Sequence, residues 1–493
     1  MREKEYLLQR YTAILSLIGA VLIMSGAMML TPLVLIITRP EEMADAWAFI
    51  LPALLQMLSG ALLRKQFSST EAETLTIQEG GIVVLVSWLI VILFTTWPFI
   101  SVAGLSFSQA FFEAMSGWTT TGLSVVNVTT ASPIILLWRS IIQLAGGAGW
   151  AIIMMSTLAG PTGVAVSGAE GRSEQIAPHV RQSARLVMLI YVCYAAAGSL
   201  AYWLAGMSSF DAVNHSFAAV STGGFSTRVE SIGYWNSTVI EAITLPLMVF
   251  GNLSFVTAWY FWRGKFSVVA KNGEVRLSTV LMPIAVLGVF ILTCQALYPQ
   301  LEKAVRVAIF ETVSAMTTTG FSTVTYENWN SSGVFLLVIL MLIGGGSCST
   351  AGGIKQFRIY LLWKTLIWDI QRLIMPKNAV IKCTIWEGDQ CTFLNDARVR
   401  QTTVFVFIYL LTFALGVLLL CSYGYSLRDS LFEFASALGT VGLSIGLTSP
   451  DMPAMVLYAQ ALAMFLGRLE FIIVFTSIIK LAKDAYTIKT RQA

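Results

Sequence analysis

One stretch decides the fold of this chain: residues 310–322 read Phe-Glu-Thr-Val-Ser-Ala-Met-Thr-Thr-Thr-Gly-Phe-Ser. Related stretches occupy 111–124, 214–226 and 432–444, and each contains glycine, a bulky apolar residue and serine in that order. Nine residues before each glycine stands an acidic or imidazole side chain. In chain order these residues are Glu113, His215, Glu311 and Glu433. Because the same spacing recurs in four places, the chain contains a fourfold internal repeat.

Each copy begins with a moderately apolar run that is too short to cross a bilayer. A membrane-spanning helix needs ~20 apolar residues, and these runs hold about ten. The Thr, Ser and Gly that follow continue a helix poorly. Each repeat therefore predicts a span, a re-entrant half-helix, an extended segment and a second span. The expected half-helices cover 107–117, 209–220, 304–316 and 428–438.

Ten apolar runs are long enough to be spans, and two of them precede the repeats. The sequence predicts an all-α membrane protein with two N-terminal spans and four repeats in a pseudo-fourfold arrangement around one pore. The expected spans are 11–38, 44–66, 80–103, 133–160, 183–206, 237–262, 277–299, 333–364 with an interruption, 399–423 and 453–482. The expected units are 1–70 for the N-terminal helices, 71–168, 169–268 and 269–375 for repeats 1 to 3, and 376–493 for repeat 4 with a cytoplasmic tail.

Composition excludes several other classes of protein. The chain is 56% hydrophobic and only 12% charged, which would leave a soluble protein with aggregating surface. A net charge of +4 gives no basis for nucleic-acid binding. The six cysteines form no CxxC pair and there are only two histidines, so we expect neither a disulfide framework nor a zinc site, and no organic cofactor.

Basic residues set the expected orientation in the membrane. If the N-terminus is cytoplasmic, most of the Lys and Arg residues fall in segments on the cytoplasmic side of the membrane, and few fall in segments on the opposite side. Cytoplasmic loops carry an excess of Lys and Arg, so both termini are expected in the cytoplasm. The first apolar run, 11–37, is too long for the core of a signal peptide and is expected to remain as a span in contact with lipid.

The extended segments are the expected ion site. Irregular backbone at membrane depth is tolerated where it lines a water-filled path, and rings of carbonyl oxygens can replace the hydration shell of a cation. Glycine allows the backbone angles that such a ring needs, and the half-helix C-termini add partial negative charge. Since the segments contain no acidic side chain, potassium fits better than a divalent ion. The predicted filter residues are Thr119, Thr120, Thr121, Gly122, Leu123, Ser221, Thr222, Gly223, Gly224, Phe225, Thr317, Thr318, Thr319, Gly320, Phe321, Gly439, Thr440, Val441, Gly442 and Leu443.

Two alternatives accompany this interpretation. The segments could be ordinary polar loops with Thr/Gly turns, although four matched copies make that a poor explanation. The glutamates could be solvated or capping residues at the half-helix start, structural partners behind the filter, or ion ligands.

These four filters, with the two preceding spans, resemble the Trk/Ktr/HKT superfamily of potassium transporters, and the TrkH type in particular. The resemblance covers nearly the whole chain. It implies a single-chain pore in a bacterial plasma (inner) membrane, a homodimer, and a cytosolic regulatory subunit of the TrkA type with nucleotide-binding domains. Glycine at all four filter positions implies potassium preference. Segments 2 and 4 depart from the strict Thr-Thr-Thr-Gly pattern.

A glycine-rich stretch interrupts the second span of repeat 3. Five glycines among small residues hold a helix poorly, and such a segment must line a cavity or be covered by protein. It lacks the GxxxxGK[ST] pattern of a phosphate-binding loop, and a closely packed helix face is the other alternative. We expect a mobile gate under the filter, as the resemblance implies. The predicted gate residues are Gly344, Gly345, Gly346, Ser347, Cys348, Ser349, Thr350, Ala351, Gly352, Gly353, Lys355 and Arg468.

Arg468 lies in the middle of a span, where a charge costs about 2.5–3.5 kcal/mol. We expect it to face the cavity below the filter as an electrostatic barrier, although pairing with Glu470 is an alternative. Lys355 is expected to steady the loop from the cytoplasmic side. Arg139 is nearer the outer end of its span and is expected to extend its charge to the interface.

Two other functions fit the sequence less well than a selective pore. Broken helices also occur in ion-coupled symporters, but their repeats usually come in pairs. A membrane enzyme would need a catalytic constellation, and the sequence offers no HExxH, Ser/His/Asp or paired-carboxylate pattern. The polar stretch 370–398, with 263–276 and 480–491, is either a docking surface for a soluble subunit or a solvated linker.

Overall fold

The structure is a computed structural model that describes residues 2–67, 75–149, 180–376, 382–387 and 390–490. In these ranges six helices are long and apolar enough to cross a membrane, and two further helix pairs pass the same test with a bend between them. The expectation of an all-α, multi-pass membrane protein is confirmed. The expected boundaries at 70/71 and 168/169, and the inner part of the expected span 133–160, lie outside the described residues.

Two helices precede the repeats, as the sequence predicts. Arg2–Met29 and Trp47–Gln66 pack against each other, with short 3-10 turns at Thr31–Ile37 and Pro40–Asp45 between them. They approach each other closely at Gly19 and Gly60, where a Cβ on either residue would lie within 2.6 Å of the other's carbonyl oxygen. Small residues allow helices to approach this closely in membranes.

Each repeat contains the expected order of a first helix, a half-helix and a second helix. The first helices are Ile77–Ser101, Val180–Leu204, Gly273–Val289 and Asp396–Ser422, the third being extended by a π-turn at Phe290–Cys294 and by Gln295–Leu297. Half-helices 1 to 4 are Phe107–Trp118, Ser209–Val220, Leu301–Met316 and Leu427–Leu438. The second helices are Pro133–Ala148, Thr238–Asn252, Ser331–Ile343 and Ala454–Leu469.

Serine caps fix where three of the half-helices begin. Ser106, Ser208 and Ser426 each accept a hydrogen bond from the backbone N–H three residues later, which satisfies a donor that the helix leaves unpaired. Half-helix 3 begins after Gln300 without such a side-chain cap and is longer, with 16 residues instead of 12. All four end immediately before a filter segment.

The repeats close into a ring through their second helices. Each second helix packs against the half-helix of its own repeat and against the half-helix of the next repeat. The second helix of repeat 4 packs against half-helix 1, which completes the cycle. This arrangement brings four segments that are about 100 residues apart in sequence to one place.

The second span of repeat 2 differs from the prediction. The sequence predicts one span over 237–262, but Thr238–Asn252 and Phe255–Trp262 meet at 117°. Leu253 and Ser254 leave helical geometry, and the Ser254 side chain caps the following helix. The apolar run is bent because a serine cap starts a new helix inside it.

The second span of repeat 4 is bent in a similar way. The sequence predicts one span over 453–482, whereas Ala454–Leu469 and Phe471–Thr490 meet at 99°. Glu470 between them has a φ of 66°, in the left-handed region that interrupts a right-handed helix. In repeat 3, the expected interruption is confirmed, because the helix ends at Ile343 and resumes as Gln356–Ile374.

A small hairpin follows repeat 3 within the polar stretch 370–398. Thr384–Glu387 and Gln390–Phe393 pair antiparallel, with Trp386 opposite Cys391. Ile385 is buried against Tyr360 and Trp368 of the preceding helix. The other short elements are Ser231–Trp235, Phe255–Trp262 and Phe266–Lys271.

Candidate functional site: four filter segments and the loop beneath them

The four filter segments share one unusual backbone conformation. Their glycines are left-handed, with φ of 95° at Gly122, 73° at Gly224, 81° at Gly320 and 97° at Gly442. Two residues earlier, threonine is left-handed in every segment, with φ between 50° and 55°. A β-branched residue rarely adopts this conformation, and such strain is typical of functional sites. The four threonines are Thr120, Thr222, Thr318 and Thr440.

The glycines also contact one another's segments in a closed cycle. A Cβ added to Gly122 would lie 2.2 Å from the Gly223 carbonyl oxygen, and one on Gly224 would lie 2.3 Å from that of Thr319. The cycle continues from Gly320 to the Val441 oxygen at 2.1 Å, and from Gly442 to the Thr121 oxygen at 2.2 Å. Glycine is therefore needed at these positions for two reasons: the backbone has a positive φ, and a Cβ would collide with the neighbouring carbonyl oxygen.

The half-helix behind each segment holds it by an equivalent bond. The backbone N–H of the residue before the filter glycine donates to a carbonyl five residues earlier, at 2.8–3.0 Å in all four repeats. In segments 1 and 3, hydroxyl pairs add a second support, with Thr119 to Thr121 and Thr317 to Thr319 both at 2.8 Å. The half-helices therefore point their C-terminal, partially negative ends at the segments.

The shared spacing of the glutamates places them behind the filter as structural partners. Glu113 accepts the Ser124 hydroxyl at 2.9 Å and the Val125 N–H at 3.0 Å. Glu311 and Glu433 likewise accept the N–H three residues after their filter glycine, at 2.8 and 3.2 Å. All three carboxylates are fully buried, so the alternative of a solvated or capping residue is wrong.

His215 takes the same place in repeat 2. Its Nδ1 lies 2.8 Å from the Asp211 carbonyl oxygen, which can only accept, so Nδ1 carries the proton. In the neutral ring Nε2 then accepts the Ser226 hydroxyl at 2.9 Å. Like the glutamates, the imidazole thus holds the chain just after the filter glycine, here without a negative charge.

Arg139 is buried, and the prediction that it extends to the interface is wrong. It is 2% exposed, and its Nε donates to Glu113 at 2.8 Å. It also donates to the Ser124 hydroxyl at 2.8 Å and to the Ser226 carbonyl at 3.2 Å. The guanidinium lies 4.0 Å from the centre of the Phe225 ring. Arg139 therefore connects the residues that support segment 1 with those that support segment 2. Its position in the span could not indicate this role.

The glycine-rich loop, residues 344–353, lies directly against the filter segments. The Thr350 hydroxyl accepts from the Thr222 hydroxyl at 3.0 Å, and the Gly352 N–H donates to the Thr318 hydroxyl at 2.9 Å. A Cβ on Gly352 would lie 2.0 Å from the Thr440 hydroxyl oxygen. The loop thus contacts three of the four left-handed threonines.

Residues of repeats 1, 2 and 4 hold the loop in place. Arg468 donates to the Thr350 carbonyl at 2.8 Å and to the Gly146 carbonyl at 2.5 Å, so it connects the loop to repeat 1. Asn252 accepts the Gly346 N–H at 3.1 Å through its side chain. Glu470, the alternative partner for Arg468 in the sequence, lies in an ion pair with Arg358 at 2.8 Å.

Lys355 closes the loop at its C-terminal end. Its ammonium donates to the Ala351 carbonyl, and its backbone N–H donates to the Ile343 carbonyl at 3.0 Å. Lys355 has a φ of 84°, again in the left-handed region. These contacts tie the end of the loop to the helix that precedes it.

Comparison with known proteins agrees with this geometry. Residues 49–488 match the model of the TrkH family, described as a cation transport protein. The chain belongs to the TrkH family. It is therefore a membrane transporter and not an enzyme.

Several relatives match this chain over nearly its whole length. It is 31% identical to an uncharacterized cation transporter of Methanocaldococcus jannaschii over 93% of both chains. It is 30% identical to the Trk system potassium uptake protein TrkH of Halomonas elongata, over 94% of this chain and 97% of that one. The crystal structure of the potassium transporter TrkH from Vibrio parahaemolyticus matches with a TM-score of 0.82 at 27% identity, covering 96% of this chain and 98% of the other.

Proposed function

We propose that this chain carries potassium ions into the cell through the cycle of four filter segments. The supporting observation is the closed contact of each filter glycine with a carbonyl of the next repeat. Such a cycle offers several backbone oxygens to one dehydrated monovalent cation. Relatives named as potassium uptake proteins support the choice of ion.

We further propose that the glycine-rich loop and Arg468 gate this path. The hydrogen bonds of the loop to filter threonines support this proposal. In our proposal the loop in this position closes the path from the filter to the cytoplasm. A positive guanidinium beside the loop also opposes a cation there. Ions cross when the loop leaves the filter and its hydrogen bonds are broken.

The assembly and its location belong to the same proposal. The relatives' names describe proteins of a Trk system, which supports further components. We propose that one of these components is a cytosolic regulatory subunit with nucleotide-binding domains. Leu373, Ile374 and Phe393 are strongly exposed beside the hairpin and would suit docking of that subunit. We propose that the protein is a homodimer in a bacterial plasma membrane. The distribution of basic residues predicts that both of its termini lie in the cytoplasm.

Rubidium and sodium uptake by potassium-starved cells that express the protein tests the filter. Gly122→Ser and Gly320→Ser should lower the preference for rubidium over sodium by about tenfold or more, because each new Cβ meets a filter carbonyl. Gly104→Ser is the matched control, since Gly104 is also left-handed, at 67°, but has open space around it. Absence of uptake by the wild type, or unchanged selectivity in both filter variants, would refute the assignment.

A further inference from the structure

Gly223 of segment 2 is a glycine for a different reason from the filter glycines. Its φ is not in the left-handed region, so the backbone itself accepts any side chain. The three atoms nearest to a Cβ there would all belong to Gln143 of repeat 1: its amide carbon would lie 2.4 Å away, and its oxygen and nitrogen 2.6 and 2.8 Å away. The missing side chain of Gly223 thus makes room for Gln143.

Gln143 uses both ends of its amide on segment 2. Its Nε2 donates to the Gly223 carbonyl at 2.5 Å, and its Oε1 accepts the Phe225 N–H at 3.2 Å. A carbonyl only accepts and a backbone N–H only donates, so these two partners fix the orientation of the amide. Gln143 is fully buried, and both ends of its side-chain amide are held by hydrogen bonds.

The other repeats place methionine where repeat 1 has Gln143. Three residues before the glycines Gly146, Gly251, Gly344 and Gly467, the second helices carry Gln143, Met248, Met341 and Met464. Each second helix packs against the half-helix of the next repeat. Gln143, Met248, Met341 and Met464 are therefore matched with filter segments 2, 3, 4 and 1, in that order. The residues of those segments at the position of Gly223 are Gly223, Thr319, Val441 and Thr121.

The second helix thus carries glutamine where the matched filter segment has glycine, and it carries methionine in the three cases where the segment has a larger residue. Thr121 and Thr319 also supply the hydroxyl pair that steadies segments 1 and 3. Segment 2 cannot form this pair, because Gly223 has no hydroxyl. The Gln143 amide supplies hydrogen bonds to the same stretch of backbone from the neighbouring repeat.

We propose that Gln143 is a positioning residue for ion selectivity that takes the role of the threonine missing from segment 2. This inference rests on the proposed function of the four segments. Gln143 holds the Gly223 carbonyl, which is also the oxygen that faces Gly122 in the closed cycle. An amide N–H already binds this oxygen, so one of its two lone pairs is engaged before an ion arrives. The filter is therefore chemically asymmetric at segment 2.

Rubidium and sodium flux in liposomes containing the purified protein tests this inference. Gln143→Met should reduce the rubidium preference about tenfold, and Gly223→Thr should reduce it further because the introduced side chain would collide with the amide. The double variant Gln143→Met/Gly223→Thr recreates the pairing found in the other repeats and should recover much of the preference. Gln143→Glu keeps the shape and removes the donor, and it should also lose preference.

The matched control is Gln56→Met, which makes the same change at a buried glutamine of the N-terminal helices, bonded to Ser25 at 2.7 Å. The inference would be overturned if Gln143→Met and Gln143→Glu both had the same selectivity as this control. It would also be overturned if the loss of rubidium preference in the double variant equalled the product of the losses in the two single variants. The Gln143→Glu arm decides the question if Gln143→Met does not fold. A wild type that moves neither rubidium nor potassium would instead refute the proposed function.

Discussion

Replacing Arg468 with alanine should open the path beneath the filter. Arg468 donates to the Thr350 carbonyl of the glycine-rich loop at 2.8 Å and to the Gly146 carbonyl of repeat 1 at 2.5 Å. A hydrogen bond from a charged donor contributes about 1.5–3 kcal/mol, and the bond to Thr350 is the one that breaks when the loop leaves. Since about 1.4 kcal/mol is a factor of ten, the open population should rise by roughly 10- to 100-fold where it is small in the wild type.

The assay is rubidium efflux from liposomes that contain equal amounts of purified wild type or variant. Arg468→Ala should give a clearly higher initial rate, and Arg468→Lys, which keeps the charge but loses the forked donor geometry, should be intermediate. Arg400→Ala, at an exposed arginine, is the control. Unchanged or lower efflux in folded Arg468→Ala protein would refute the reasoning, because the arginine would then not hold the loop closed.

Two further predictions concern the loop and the support of the filter. Deleting residues 346–351 should raise rubidium flux in the same assay, because it removes the contacts of Thr350 with Thr222 and with Arg468. Loss of flux in folded protein would instead make the loop a scaffold. Glu113→Gln should lower the stability of the detergent-solubilised protein by about 3–5 kcal/mol, because it leaves the buried Arg139 without its counter-charge. Thermal unfolding measures this against Glu302→Gln, an exposed carboxylate, and equal melting temperatures would contradict the buried pair.

The features that could be predicted from sequence are those carried by local pattern. The half-helices, the positive φ of the four glycines and the break at Ile343 all follow from spacing and from what glycine and apolar runs do. The left-handed threonines give no such signal, because threonine is a residue that normally avoids this conformation. The bends at Ser254 and Glu470 are also hidden, since the apolar run continues through each of them.

Contacts between repeats are the second kind of feature that the sequence does not show. The position of Arg139 in its span favours the interface, but its partner Glu113 lies on the half-helix and its third contact belongs to repeat 2. Gln143 gives no local signal for the same reason, because its partners are 80 and 82 residues away. Aligning the second helices with one another shows the glutamine among three methionines, which is the one signal available.

A path for a dehydrated monovalent cation between the four segments can be observed directly by anomalous diffraction from crystals of the protein soaked in rubidium. We expect a peak inside the cycle, bounded by the carbonyl oxygens of Thr121, Gly223, Thr319 and Val441. A well-ordered map with no rubidium inside the cycle, and rubidium bound at another place, would contradict it.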